Sequence, residues 1–261
     1  MVVDWPASTW LQPDLGVPGI RVVSTTRLGG ASEGPYAGLN LGDHVSDEAA
    51  HIDQNRALLE AFLPSKRTIT WLKQVHGTRV VNAASEYAPS IEADAIWTCD
   101  KAFACTVMTA DCLPIVLADI HGRCIAAVHG GWRGLASHIL RETIEALPVA
   151  PEELVAWLGP AIGPTGFEVG GDVLAAFYLA ETDAAVRPVS DGENKYLLDL
   201  NMIADRQLLA LGLRAENISG GEICTFSNPD HFYSHRRDGV TGRMATAIYF
   251  DSHHTSSRSL F

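Results

Sequence analysis

The sequence predicts an α+β fold: a single layered domain over residues 1–261, with a largely antiparallel or mixed sheet flanked by helices. Three observations lead there. Apolar and β-branched runs cluster with one another instead of alternating one for one with helices, which disfavours a doubly wound parallel sheet. No repeat, low-complexity linker or block of like charge marks a domain boundary. At 261 residues, 47% of them hydrophobic, the chain is long enough to hide roughly 70 to 75% of the surface its unfolded form exposes.

Taken in order, Ile20 to Thr26 reads as a strand, and Leu28 to Gly42, with five glycines, Pro35 and Asn40, as a loop long enough to be functional. Ser46 or Asp47 caps a helix in which Ala49, Ile52, Arg56, Leu59 and Leu63 share a face, and Pro64 stops it. Strands follow over Thr68 to Leu72, Arg79 to Val81, Ala95 to Thr98, Phe103 to Met108, Pro114 to Ala118 and Arg123 to Val128. A helix spans Leu135 to Leu147, a strand Leu154 to Leu158, and a short helix starts at Asp172. Asp199 caps a helix to Leu211 that Gly212 ends, Ala245 to Phe250 is the last strand, and the tail from Ser252 to Arg258 looks frayed.

The charge balance, 19 Lys and Arg against 31 Asp and Glu, gives −12 and repels nucleic acid and anionic membranes. The start, Met1 to Trp10, lacks a basic region followed by an apolar run, and no stretch approaches roughly 18 apolar residues. A cytoplasmic protein is expected. Its five cysteines then read as reduced thiols, with Cys99, Cys105 and Cys124 as small core residues.

Chemistry concentrates around a hairpin. If Asp119 to Gly122 is a symmetric turn, Ala118 faces Arg123 and Cys112 stands opposite His129 on one face of the sheet. One metal ion bridges such a gap, and a shift of one residue would move Cys112 to the other face. His76, ending a strand-like run beside Gly77, is the best third ligand, and three protein ligands leave a fourth position open for catalysis. After His129, the glycine turn and Arg133 suit a phosphate, or equally Arg133 pairs with a carboxylate. The segment Phe232 to Arg243 is either an anion- or ring-binding rim or a salt-bridged loop.

These residues resemble the YfiH-like family, also called the laccase-domain or multicopper polyphenol oxidase family. The resemblance runs through Thr25 to Gly30, Gly38 to Gly42, Gln74 to Gly77, Ala93 to Ala95, Ala110 to Pro114, His129 to Gly134, Leu158 to Pro160, Phe167 to Gly170 and the arginine-rich segment. It implies one zinc per chain on His76, Cys112 and His129, with copper disfavoured because the chain has no His-x-His pair or second ligand cluster. It further implies phosphorolysis of adenosine, inosine, guanosine and methylthioadenosine, and deamination of adenosine, by a monomer or small homo-oligomer. Asp111 is the candidate proton carrier; Arg27, Asn40, Arg133 and Arg236 are candidates for phosphate, ribose and substrate contact. Three rival functions stand beside this one: phenol oxidation, a hydrolase editing peptidoglycan precursors that uses the same residues with Cys112 as nucleophile, and a binding module with structural zinc.

Overall fold

The computed structural model describes residues 9–64, 67–86, 91–189 and 194–251. The tail from Ser252, read above as frayed, lies outside them.

Two sheets stacked face to face account for the clustered strands. The smaller holds β1 (Ile20–Ser24), β4 (Phe103–Thr109) and β9 (Met244–Phe250), with β9 central and antiparallel to both; Thr68–Ile69 adds a parallel edge to β4. The larger runs in the order β8 (Ile218–Gly220), β7 (Leu154–Leu158), β5 (Leu113–Asp119), β6 (Ile125–Gly130), β3 (Ala95–Thr98), β2 (Val80–Asn82). Its three inner pairings are antiparallel, and its two edge pairings are parallel. The α+β class with mixed sheets is therefore the observed one.

Alternation along each strand divides the core into layers. Val22, Val107 and Ile248 of the small sheet meet Ile96, Val116, Ala127 and Val155 of the large one, filling the space between sheets. The opposite face of the large sheet, with Ile115, Leu117 and Val128, packs on α3 (Ile139–Ala146), α4 (Gly171–Ala176) and α5 (Leu200–Ala210). The opposite face of the small sheet, with Val23 and Ala247, packs on Leu59 of α1 (Ala49–Phe62). Strands buried on both faces read as unbroken apolar runs, as β5 and β6 do.

Several local readings change. Asp47 does not cap α1: Glu48 is the N-cap residue and makes no side-chain cap bond, while Asp47 accepts from Asn40 and Ser32. The helix drawn from Leu135 to Leu147 is two, α2 (Trp132–Ala136) and α3, because His138 takes a left-handed φ of 70° between them. Asp199 does cap α5, accepting from the Met202 N–H at 3.0 Å. The hairpin pairs Ala118 with Ile125 and Pro114 with His129, so the register is shifted by two residues from the symmetric one. A shift of two preserves the face, so Cys112 stays on the His129 side as a diagonal neighbour. Finally, Cys99 and Cys124 form a disulfide, which corrects their reading as reduced core thiols. The Thr98–Ile125 pair ends the β3–β6 ladder and brings the next two residues together.

Candidate metal centre

His76, Cys112 and His129 arrive from three different places. His129 is buried in β6; Cys112 precedes β5 after Asp111, whose φ of 85° is left-handed; His76 lies on a loop with φ 59°. Two such non-glycine conformations cost free energy and persist only where surroundings over-determine them. At His76 the determinant is Asp94. This buried carboxylate accepts the backbone N–H groups of Val75 at 3.3 Å, His76 at 2.9 Å and Gly77 at 2.7 Å, and also His129 Nδ1 at 2.8 Å. Gln74 pins the same loop to β4, donating to the Met108 carbonyl and accepting from its N–H, both at 2.7 Å.

At Asp111 the left-handed turn is held by its own side chain. The carboxylate accepts from the hydroxyls of Thr225 at 2.6 Å and Ser234 at 2.9 Å, and from the Arg236 N–H at 2.7 Å. Three donors on one buried carboxylate leave little of its acceptor capacity unused.

The ligand atoms of His76, Cys112 and His129 lie within 4.8 Å of one another, with Cys112 Sγ 3.8 Å from His76 Nε2. Tetrahedral geometry with Zn–S near 2.3 Å and Zn–N near 2.1 Å asks for roughly 3.6 Å between such atoms. Because Asp94 takes His129 Nδ1, the Nε2 lone pair is left for a metal, the usual outer arrangement of a ligating histidine. Gly131 keeps the space clear: a Cβ there would sit 2.8 Å from His76 Cδ2 and 3.3 Å from Cys112 Sγ. The trio could therefore hold a metal ion.

Charge within the trio is strongly coupled. Burial raises the Cys112 thiol, but His129 and His76 override it and bring the group down to about 6. Burial lowers the His129 imidazole, and Cys112 with Asp94 overrides that, holding it above its ordinary range. Burial also raises Asp94, and its bonds to His129 and the loop N–H groups keep it below the usual carboxylate range.

The trio lies in a cleft of about 430 Å³, within the size range of small-molecule sites. Trp132, Ile162, Phe167 and Leu200 give it apolar walls, and Arg133, Arg236 and Arg243 line it with cations. Arg133 and Arg236 thus line the cleft. Arg27 and Asn40 are not among the cleft-lining residues: Arg27 donates to the Pro229 and Ala37 carbonyls over the Tyr233 ring, and Asn40 is buried with its amide engaged. Sequence reasoning gave no role to Asp94, although it stands inside a motif quoted above; Arg243, the end of the segment read as a rim or a salt-bridged loop, lines the cleft together with His44, which is exposed in a turn.

Fold and site together define a layered α+β protein with a three-donor, metal-capable centre in an arginine-lined cleft. The chain belongs to the family described as multi-copper polyphenol oxidoreductase laccase, which matches residues 21–251. It is 43% identical to purine nucleoside phosphorylase YfiH of Escherichia coli over 92% of this chain and 96% of that one. A purine nucleoside phosphorylase of Haemophilus influenzae is 42% identical, covering 92% and 99%. The solved structure of Neisseria meningitidis protein NMB0706 superposes with a TM-score of 0.87 at 42% identity, covering 93% and 99%. These relatives place the chain among enzymes. No helix among the described residues is long and apolar enough to cross a membrane.

Proposed function

We propose that this chain is a zinc-dependent purine nucleoside phosphorylase, acting on adenosine, inosine, guanosine and methylthioadenosine, and that the same site deaminates adenosine. The observation that carries this reading is that a metal-capable trio, an aromatic wall and three arginines face one small-molecule cleft. The two relatives named as purine nucleoside phosphorylases support it. In phosphorolysis a phosphate oxygen bonds to C1′ of the ribose, the C1′–N9 bond breaks, and the purine leaves with the electron pair and gains a proton. Trp132 and Phe167 offer flat apolar surface for the purine, and the cleft arginines offer guanidinium donors to phosphate. Asp111 fixes Ser234 and Arg236 at the wall, so it orients the substrate pocket and does not move the proton itself. Bound zinc would supply Lewis acidity at the cleft floor, polarising an oxygen or nitrogen for attack or departure.

Zinc is favoured over copper by the donor set: two imidazoles and a thiolate gathered around one point suit zinc, and the described residues hold one three-donor group, where phenol oxidation by several coppers needs more. A second reading has a specific observation behind it, since the lowered Cys112 thiol beside two imidazoles also suits a cysteine hydrolase.

Chromatography of adenosine reactions tests these readings. In phosphate buffer, adenine and ribose 1-phosphate are expected; without phosphate, inosine is expected; both fall sharply in His76→Ala and His129→Ala. Phenol oxidation without nucleoside conversion would return the oxidase, and nucleoside conversion that survives complete zinc removal would return the cysteine mechanism.

A further inference from the structure

The three arginines lining the cleft are held differently. Arg236 Nη1 donates to the Glu168 carbonyl at 2.6 Å with its guanidinium over the Phe167 ring, and the exposed Arg133 lies over Trp132 at 4.3 Å. Arg243 differs. It is half-buried, and its Nη1 donates only to the carbonyls of its own loop, Thr241 and Gly242, both at 3.0 Å. Among the described residues it forms no ion pair, yet Cys112 and Asp111 lie within electrostatic reach, which puts it beside the metal-capable floor. Burial holds its pKa below the ordinary guanidinium value.

The loop from Gly38 to Gly42 holds the Arg243 backbone and leaves room for its stem. Asn40 Oδ1 accepts the Arg243 N–H at 2.8 Å, the Arg243 carbonyl accepts from Leu41 N at 3.1 Å, and a Cβ on Gly42 would lie 2.7 Å from Arg243 Cγ. His44, on the far side of Gly42, lines the same cleft; its pKa is lowered first by burial and then by Arg243, so near neutral pH it is an uncharged hydrogen-bonding ring. Of the carboxylates in this region, Asp111 is occupied by Thr225, Ser234 and the Arg236 N–H, and Asp43 lies 3.3 Å from Arg56 and 3.6 Å from His44, so Arg56 offsets its charge. A pre-positioned, partly desolvated guanidinium with no ion pair among the described residues gains most from an anion that completes it.

We infer that Arg243 anchors an anion subsite in the cleft, with His44 at its edge, and that inorganic phosphate is the anion it takes. The choice of phosphate rests on the phosphorylase reading; the site itself rests on the geometry. The experiment titrates phosphate alone against zinc-loaded full-length protein by thermal shift, with chloride at matched ionic strength, and then measures the KM for phosphate with inosine. Saturable protection is expected in wild-type protein, with the midpoint and the phosphate KM raised on the order of 10- to 100-fold in Arg243→Gln, while bound zinc is retained. Should Arg243→Gln fail to fold, Arg243→Lys keeps the stem over Gly42 and loses the fork, and a several-fold rise is expected. No protection in wild type, wild-type phosphate affinity in the folded variant, or the full loss falling on Arg133→Gln instead would each overturn the subsite. Phosphate protection that depends on Arg243 in a protein converting no nucleoside supports the subsite and removes the phosphorylase reading. Phosphorolysis with normal phosphate KM in Arg243→Gln does the reverse.

Discussion

Asp94 holds His129 by its Nδ1 at 2.8 Å and, with the same carboxylate, gathers three consecutive backbone N–H groups around His76. One buried charge thereby fixes the tautomer of one candidate ligand and the left-handed backbone of another. Neither histidine is placed by its own strand or loop alone.

Asp94→Asn is therefore expected to weaken metal binding by roughly 10- to 100-fold, the range for groups that orient ligands. An amide keeps the size but loses the charge and turns one acceptor into a donor facing N–H groups. Chelator competition on the folded variant reads the affinity directly. An unchanged zinc affinity would show that the His76 loop and the His129 ring are held by packing instead.

The trio was legible in the sequence and its support was not. His76, Cys112 and His129 carry ligand chemistry in their side chains and end strand-like runs, so residue type and position exposed them. Asp94 works through N–H groups 17 to 19 residues away and an imidazole 35 away, contacts that only the parallel β2–β3 pairing and the β3–β6 ladder create. Arg243 likewise depends on Asn40, 203 residues distant. The fold class was readable because both sheets are buried on two faces and announce themselves as apolar runs. The hairpin register and the break at His138 were not, since each turns on a loop conformation that composition does not encode.

In the metal-free protein Cys112 should alkylate as a thiolate at unusually low pH. Its pKa is brought down to about 6, so the thiolate stands above that value and is lost as pH falls through it. Iodoacetamide rates against pH are expected to show a midpoint near 6, well below the roughly 8.5 of an ordinary thiol. Buried Cys105, whose thiol is pushed up by desolvation, should stay unreactive, and Cys112→Ala should abolish the low-pH phase. A Cys112 midpoint near 8.5 would mean the histidines do not reach the sulfur in solution.

The Cys99–Cys124 disulfide closes a span of 25 residues. On the chain-entropy account such a link stabilises by about 3 kcal/mol, which for a domain of this size is roughly 5 to 10 °C in Tm. The double variant Cys99→Ala/Cys124→Ala should lose about that much and keep its zinc. Equal Tm with and without reductant in the wild-type protein would show that the link does not form.

Gly131→Ala separates site geometry from fold. The residue precedes α2 with φ −66° and ψ 150°, a conformation any amino acid adopts, so alanine brings no backbone strain. Its added methyl would nevertheless lie 2.8 Å from His76 Cδ2, 3.3 Å from Cys112 Sγ and 3.5 Å from His129 Cε1, inside the space the three ligands enclose. Real carbon contacts of 2.8 Å do not persist, and His76, exposed on its loop, is the group able to yield. The expected result is a folded protein with near-normal Tm whose zinc content and nucleoside turnover both drop by an order of magnitude or more, with Cys112 becoming reactive toward iodoacetamide in protein purified without chelator. Full zinc occupancy in Gly131→Ala would mean that the ligands close on the metal from a different side than these positions allow.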